Sequence, residues 1–357
     1  MSRYPKVLAP GVLPAILSAI LFGASTPLAK LALGNGVSPW LLASLLYLGS
    51  GIGLAIVHTA RKTLGSGPAE ASLLRSDLPW LALVILCGGA IAPVLLMAGL
   101  VTTPASTASL LLNLEGLATL AIAWLVFREN VDRRLLIGAA AILGGAVLLS
   151  WRGGPAGGGL GTLAIAGACL AWGIDNNLTH KLSGADPVQI AMLKGLAAGA
   201  VNLLLAFTLG ASLPALPVIA GAGLIGFFSY GVSLVLFVLA LRHLGTARSG
   251  AYFSTAPFIG ALLAIVLFDE PVTMQLVAAG ILMAIGLWLH LTESHGHGHA
   301  HEALEHEHRH VHDVHHRHDH PPGIVSGEPH SHRHRHLPMI HKHTHYPDLH
   351  HRHPHPH

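Results

Sequence analysis

Glu115, Asp175, Lys194 and Arg248 interrupt long apolar runs of the chain, and each could do chemistry there. An ionisable group inside a membrane span is costly unless paired or hydrated, so each is a candidate site residue. Glu115 falls near the middle of its run, where desolvation disfavours the anion. Its carboxyl group suits proton coupling, or a counter-charge for a cationic solute. It also suits a protonated side chain that locks helix packing. Asp175 and Lys194 lie in successive runs, each about 6 Å to the same side of centre at 1.5 Å per residue. They fit a structural ion pair, or a pair that opens for a zwitterionic solute. Asn113 precedes Glu115, and Asn176, Asn177 and His180 extend the polar stretch from Asp175. Three consecutive polar residues cannot share one helix face, so some must bond neighbouring helices or line a cavity. Arg248, Tyr252 and Thr255 are spaced i, i+4, i+7 and are expected on one helix face. Arg248 would meet anions in a vestibule, or snorkel to lipid headgroups. Lys30 is expected to snorkel, His58 and His290 to be interfacial, and Asn202 to join helices.

A second set of ligating residues sits at the end of the chain. Of 28 histidines, 24 fall between His295 and His357. His295, His297, His299 and His301 alternate with small residues, and His306, His308, His310 and His312 with charged or apolar ones. Neutral imidazole is a good ligand for Zn, Ni, Co and Cu. The tail could buffer, deliver or sense metal, or be a low-complexity extension that binds metal as any polyhistidine does. It cannot bury a core and is expected to be disordered. The apolar runs hold no paired His, Cys or carboxylate cluster at ligand spacing, so no cofactor is expected to be required.

These residues are positioned by a membrane protein. Apolar residues make up 52% of the chain and charged residues 10%, against about a quarter charged in soluble proteins. A span needs about 20 apolar residues to cross about 30 Å of hydrocarbon. Ten spans are expected, at 11–33, 39–60, 78–101, 104–127, 133–151, 159–181, 187–210, 215–241, 246–268 and 272–291. Gly34-Asn35-Gly36, Thr102-Thr103-Pro104 and Asp186-Pro187 mark breaks between them. Pro27, Pro93 and Pro257 lie within spans and should bend or interrupt them. Gly195 and Gly199 form a small-xxx-small pair suited to close helix packing. Cys87 and Cys169 lie in apolar runs and read as small core residues, not a disulfide.

Lys and Arg in the loops set the orientation. With the N-terminus in the cytoplasm, Arg3, Lys6, Arg61, Lys62, Arg75, Arg128, Arg133, Arg134, Lys181, Arg242 and Arg248 fall inside. Only Arg152 falls in an outer loop. The expected location is the cytoplasmic (inner) membrane, with both termini cytoplasmic.

The pattern plays through twice. Phe127-Arg128-Glu129 returns 141 residues later as Phe268-Asp269-Glu270. Five spans per half is odd, so the second copy enters the membrane the other way up. The charges follow: the loop at Arg128–Arg134 is basic and its partner at Asp269–Glu270 is not. The fold class is therefore an all-α membrane protein of two inverted five-helix repeats, 11–151 and 159–291, with the tail at 295–357. Inverted-repeat carriers place their site near the midplane between the halves.

Phe22-Gly23 pairs with Trp172-Gly173, and Asn113-Leu114-Glu115 precedes the run to Phe127-Arg128-Glu129. The run from Tyr252 through Pro257 to Glu270 repeats the design. In these motifs, residues 11–291 resemble the drug/metabolite transporter superfamily, in its branch with two EamA domains. The resemblance implies ten helices, cytoplasmic termini and alternating-access movement of small organic solutes, often outward. Gly116 departs from it, since many relatives carry proline there; the partner position, Pro257, keeps it. The tail lies outside the family pattern.

No Walker motif, dinucleotide fingerprint or catalytic dyad is visible, so an enzyme is not expected. The expected function is a secondary carrier that exports small organic metabolites, with proton coupling as one option. The alternatives are a Ni, Co or Zn carrier fed by the tail, and a membrane-bound metal sensor or store. Partners are the solute, the lipid bilayer and divalent transition metals, with no nucleic acid. The chain is expected as a monomer or homodimer.

Overall fold

In hydrocarbon a backbone N–H or C=O has no water to bond, so an apolar chain satisfies itself by coiling into helices. The computed structural model describes residues 11–63, 73–126, 133–151, 159–182, 185–237, 239–240, 252–291, 295–301, 305–310, 330–335 and 339–345. The side chains of His180, Lys181, Pro187, Leu291 and the tail segments fall outside that description.

The first half contains α1 (Val12–Gly34), α2 (Pro39–Thr63), α3 (Leu78–Val84), α4 (Ala92–Thr102), α5 (Ala105–Leu111), α6 (Asn113–Leu125) and α7 (Arg133–Ser150). The second contains α8 (Leu160–Leu182), α9 (Pro187–Thr208), α10 (Leu216–Gly226), α11 (Ala256–Phe268) and α12 (Met274–Leu291). A π-helical turn, Ile85–Ile91, joins α3 to α4, and another, Phe227–Val232, follows α10. Among the described residues, seven helices are long and apolar enough to cross a membrane, against the ten spans expected. Of the rest, Ala256–Phe268 and Met274–His290 are shorter apolar helices. The 23-residue α8 is long enough but carries the polar run Asp175-Asn176-Asn177.

Two expected spans carry a local turn. In the fourth, which still runs as one crossing-length helix from Ala105 to Leu125, it falls at Leu112: Leu112 N–H turns back to the Ser109 carbonyl (3.2 Å), and Glu115 N–H to the Leu112 carbonyl (3.0 Å). The ninth breaks at Ser254–Thr255, where Thr255 N–H bonds the Tyr252 carbonyl (3.1 Å) and Pro257 follows in the first turn of α11. Proline lacks the N–H that would continue a helix through that point. Pro27, by contrast, sits within an unbroken α1.

Small residues let the helices approach. Gly195 lies against the Gly51 backbone and Gly199 against Leu48, which packs α2 on α9 as the small-xxx-small pair implies. Gly23 of α1 abuts the Ala256 carbonyl of α11, and a Cβ on Gly260 would stand 2.6 Å from the Gly23 carbonyl oxygen. Each half thus packs on the other: α1 on α11, α6 on α8, α2 on α9 and α7 on α12. Leu13, Ile56, Leu125, Val147, Leu204 and Val266 lie exposed on the outside of the bundle, as lipid-facing residues do.

Outside the helices, four short segments of the tail have strand backbone. β1 (His295–His301) pairs antiparallel with β4 (Met339–His345), and β2 (Glu305–His310) with β3 (His330–Arg335). A segment too polar for a core still satisfies its backbone by pairing, and its period-two alternation matches the strand repeat. His312 lies outside the described residues.

Candidate functional site

Beside the turn at Leu112, the buried Asn113 amide donates to the Leu110 carbonyl at 2.8 Å. Glu115 occupies the first turn of α6, where a carboxylate complements the helix N-terminus.

Glu115 is half-buried and meets the second half of the chain through α8. The Asn176 amide donates to the Glu115 carboxylate at 2.9 Å and to the Thr119 hydroxyl at 3.2 Å. The Asn177 amide donates to the Thr119 carbonyl (3.1 Å) and the Gly173 carbonyl (2.8 Å). The contact depends on Gly173, where an added Cβ would stand 2.8 Å from the Ala118 side chain. Consecutive asparagines thus divide their work: Asn177 holds α6 on α8, and Asn176 reaches Glu115 while remaining exposed.

Asp175 is buried and forms an ion pair with Lys194 of α9. It also accepts a hydrogen bond from the Thr179 hydroxyl (3.1 Å). The pair packs on the π-helical turn after α3. Asp175 fills the place where a side chain at Gly88 would stand, and Lys194 approaches Gly89. A π-turn disturbs the i→i−4 ladder, and such turns are frequent at functional sites. The Gly88 carbonyl accepts from the Tyr47 hydroxyl (2.6 Å) and the Trp172 indole N–H (3.1 Å), and the Gly89 carbonyl from the Asn202 amide (3.0 Å). Asn202 joins helices, as expected of it.

Both π-turns border a row of aromatic rings. Tyr47 packs on Tyr230 (centroids 5.5 Å apart), Tyr230 on Phe22 (6.0 Å), Phe22 on Phe253 (5.1 Å) and Phe253 on Phe237 (4.7 Å). Phe22 and Tyr47 belong to the first half, and the other three rings to the second. Tyr47 and Tyr230 lie within electrostatic range of Glu115. No sequence spacing announced this row, because its members come from four spans.

Arg248 lies outside the described residues. Tyr252 and Thr255 do not sit on one continuous helix face, because the turn at Ser254–Thr255 comes between them. The Thr255 hydroxyl instead donates to the Tyr252 carbonyl at 2.6 Å. His180 has no described side chain. His290 bonds the Leu135 carbonyl at 3.0 Å, tying α12 to α7.

At one end of the bundle the turn between α4 and α5 is held on both sides. Lys30 does not snorkel freely. Its ammonium donates to the Leu100 carbonyl and, at 2.9 Å, to the Thr103 carbonyl, closing the C-terminus of α4. Glu270 accepts from the Ala105 N–H (2.7 Å), the Ser106 N–H (3.0 Å) and the Ser106 hydroxyl, closing the N-terminus of α5. Sequence reasoning missed Glu270 as a structural residue. Its repetition within the Phe-Asp-Glu motif was the available signal. A cavity of about 500 Å³ lies beside this turn, lined by Thr103, Thr107, Trp151, Thr162 and Gln275 among others. A second, of about 520 Å³, lies along α2 between Ile52 and Thr63. Neither touches Glu115, so the cavities and the polar centre are separate features.

The EamA-like transporter family matches residues 9–151 and again 159–292. An "Uncharacterized transporter" of Methanothermobacter thermautotrophicus is 30% identical over 296 residues, covering 78% of this chain and 85% of the relative. A protein of known crystal structure, 21% identical, covers 80% of this chain and 96% of its own with a TM-score of 0.57, a likeness of fold. The repeated match spans both helical halves and excludes the tail, and on that ground this multi-pass membrane protein belongs to the EamA-like transporter family.

Proposed function

We propose that this transporter is a secondary carrier that exports small organic metabolites by alternating access, with protons coupled through Glu115. The observation that carries this reading is the Glu115–Asn176 contact one turn after Leu112, where α6 of one half meets α8 of the other. Carriers built from repeats commonly form their site from discontinuous helices near the midplane. A carboxyl group placed there can hold or release a proton as the site changes its access. Asn176 supplies a neutral, exposed amide beside it, suited to a polar solute. The Asp175–Lys194 pair adds a neutral dipolar group within electrostatic range.

The same reading takes the chain as ten spans in two inverted halves, with both termini in the cytoplasm. Its support is the basic loop bias and the way helix pairings exchange between halves: α1 on α11 has its counterpart in α8 on α6. Labelling of a cysteine introduced at Arg133 from the cytoplasmic side, and not from outside, is the expected outcome.

The functional test is a solute screen in proteoliposomes with and without a pH gradient. Flux of an organic solute that rises with the gradient supports the proposal. Flux of Zn²⁺, Ni²⁺ or Co²⁺ in its place would favour the metal-carrier alternative. Absence of any flux would favour a sensor or store.

A further inference from the structure

The cavity of about 500 Å³ at the Lys30–Glu270 end of the bundle takes no part in the site around Glu115, yet both halves of the chain build it. Thr103 and Pro104 come from the turn between α4 and α5, Thr107 from α5, and Leu149 and Trp151 from the end of α7. Thr162 and Gln275 come from the first turns of α8 and α12. The halves meet closely here: a Cβ on Gly161 would stand 2.5 Å from the Thr103 hydroxyl oxygen. Gln275 fixes one wall. Its amide nitrogen donates to the Leu148 carbonyl and, at 2.8 Å, to the Trp151 carbonyl.

The lining selects for one kind of chemistry. The hydroxyls of Thr103, Thr107 and Thr162 can each donate and accept a hydrogen bond, and the Gln275 amide oxygen can accept. Trp151 is 64% exposed and offers a broad apolar ring face with an N–H at its edge. None of the described side chains that line the cavity is ionisable. The two charges that hold the adjoining turn are engaged there: Lys30 donates to the Leu100 and Thr103 carbonyls, and Glu270 accepts from the Ala105 and Ser106 N–H groups. A charged solute would lose water in this cavity without gaining a counter-charge, and an unpaired ion is costly to bury. A neutral solute with several hydroxyls meets donors and acceptors around its rim and an apolar ring for its C–H face. The volume lies within the range of about 300–1,000 Å³ common to small-molecule pockets.

We propose that this cavity is a second solute site, for an uncharged polyhydroxylated solute of the polyol or monosaccharide class. Thr107 and Thr162 supply hydrogen bonds from opposite halves, and Trp151 supplies the stacking face. Its place on a transport path rests on the carrier reading; its binding chemistry does not. With the N-terminus in the cytoplasm, this end of the bundle faces outward, where an exporter releases its solute. Because the halves share its walls, their relative movement would disperse the site.

The test uses four probes built on one six-carbon polyhydroxyl skeleton. Glucose and sorbitol are neutral, gluconate is an anion and N-methylglucamine a cation. The full chain, purified in detergent, is titrated with each by calorimetry, and tryptophan emission is followed in the parent and in Trp151→Phe. Glucose or sorbitol is expected to bind saturably and to change the emission of the parent but not of Trp151→Phe, with both ions bound more weakly. Thr107→Val and Thr162→Val should each weaken binding about five-fold, the factor that one hydrogen bond of ordinary net strength supplies. Thr59→Val on α2, whose hydroxyl bonds the Ala55 carbonyl, should leave binding unchanged. Melting curves like the parent's show that each variant is folded. Failure of both neutral probes to bind would overturn the assignment. So would a charged probe bound as tightly as the neutral ones, or unchanged affinity in either valine variant. Binding is read without a membrane or a gradient, so absence of pH-driven flux would remove the proton-coupled carrier and leave this site. Organic-solute flux without binding of the neutral probes would remove this site and leave the carrier.

Discussion

The Asn176 amide lies 2.9 Å from the Glu115 carboxylate, joining α8 of the second half to α6 of the first across 61 positions. The bond forms where α6 begins, just after the turn at Leu112, and Gly173 permits the approach. The Glu115 carboxyl group of the first half is therefore tied to the second half through Asn176.

Glu115→Gln should separate proton coupling from solute binding. The amide copies the shape of the protonated acid and keeps a partner for Asn176. Accumulation driven by a pH gradient should be abolished, while exchange of solute for solute persists. Gradient-driven flux equal to that of the parent, at equal protein level, would reduce Glu115 to a packing residue.

Asp175→Asn should be more damaging than its small change in size suggests. It strands the Lys194 ammonium in a largely buried place, and breaking a buried pair costs about 3–5 kcal/mol. Adding Lys194→Met removes the stranded charge and should restore part of the thermal stability. Purely additive losses in a thermal-shift assay would show that the two residues do not act as a pair.

Two glycines of the first half should respond in opposite ways to alanine. At Gly88 the new methyl group would collide with Asp175 and displace it from Lys194, so stability and flux should both fall. At Gly116 an added Cβ meets nothing within 4 Å, and an alanine there should stabilise α6 by about 0.5–1 kcal/mol. Melting temperatures of the two variants check this; a stable, active Gly88→Ala protein would contradict the packing described.

Glu270→Ala removes three hydrogen bonds from the start of α5. Loss of a helix cap costs about 1 kcal/mol, enough to shift a balanced two-state equilibrium several-fold. The turn at Thr102–Ala105 should open more often. A cysteine at Thr107, which lines the adjoining cavity, should then react faster with a water-soluble maleimide in a background lacking Cys87 and Cys169. Unchanged labelling would show that Glu270 does not hold this end closed.

The helical, membrane-spanning character of residues 11–291 was legible in the chain because hydrocarbon imposes a one-dimensional demand: long apolar runs with few charges. The Asp175–Lys194 pair was legible for a related reason. Successive helices are neighbours, and helix rise converts sequence position into depth. Other features depended on partners that no local pattern names. Leu112 has no adjacent glycine or proline to announce its turn, and Asn113 bonds the Leu110 carbonyl beside it. Lys30 read as a snorkelling cation until α4 brought its terminal carbonyls within reach. Glu270 finds the start of α5 164 positions away from Ser106. The tail shows the same division. Its composition names no partner for any segment, while strand pairing, which needs only backbone partners, arises when distant segments align. Hydropathy belongs to each residue singly and is written along the chain. Hydrogen-bond partners belong to pairs, and folding selects them by which groups packing leaves unsatisfied.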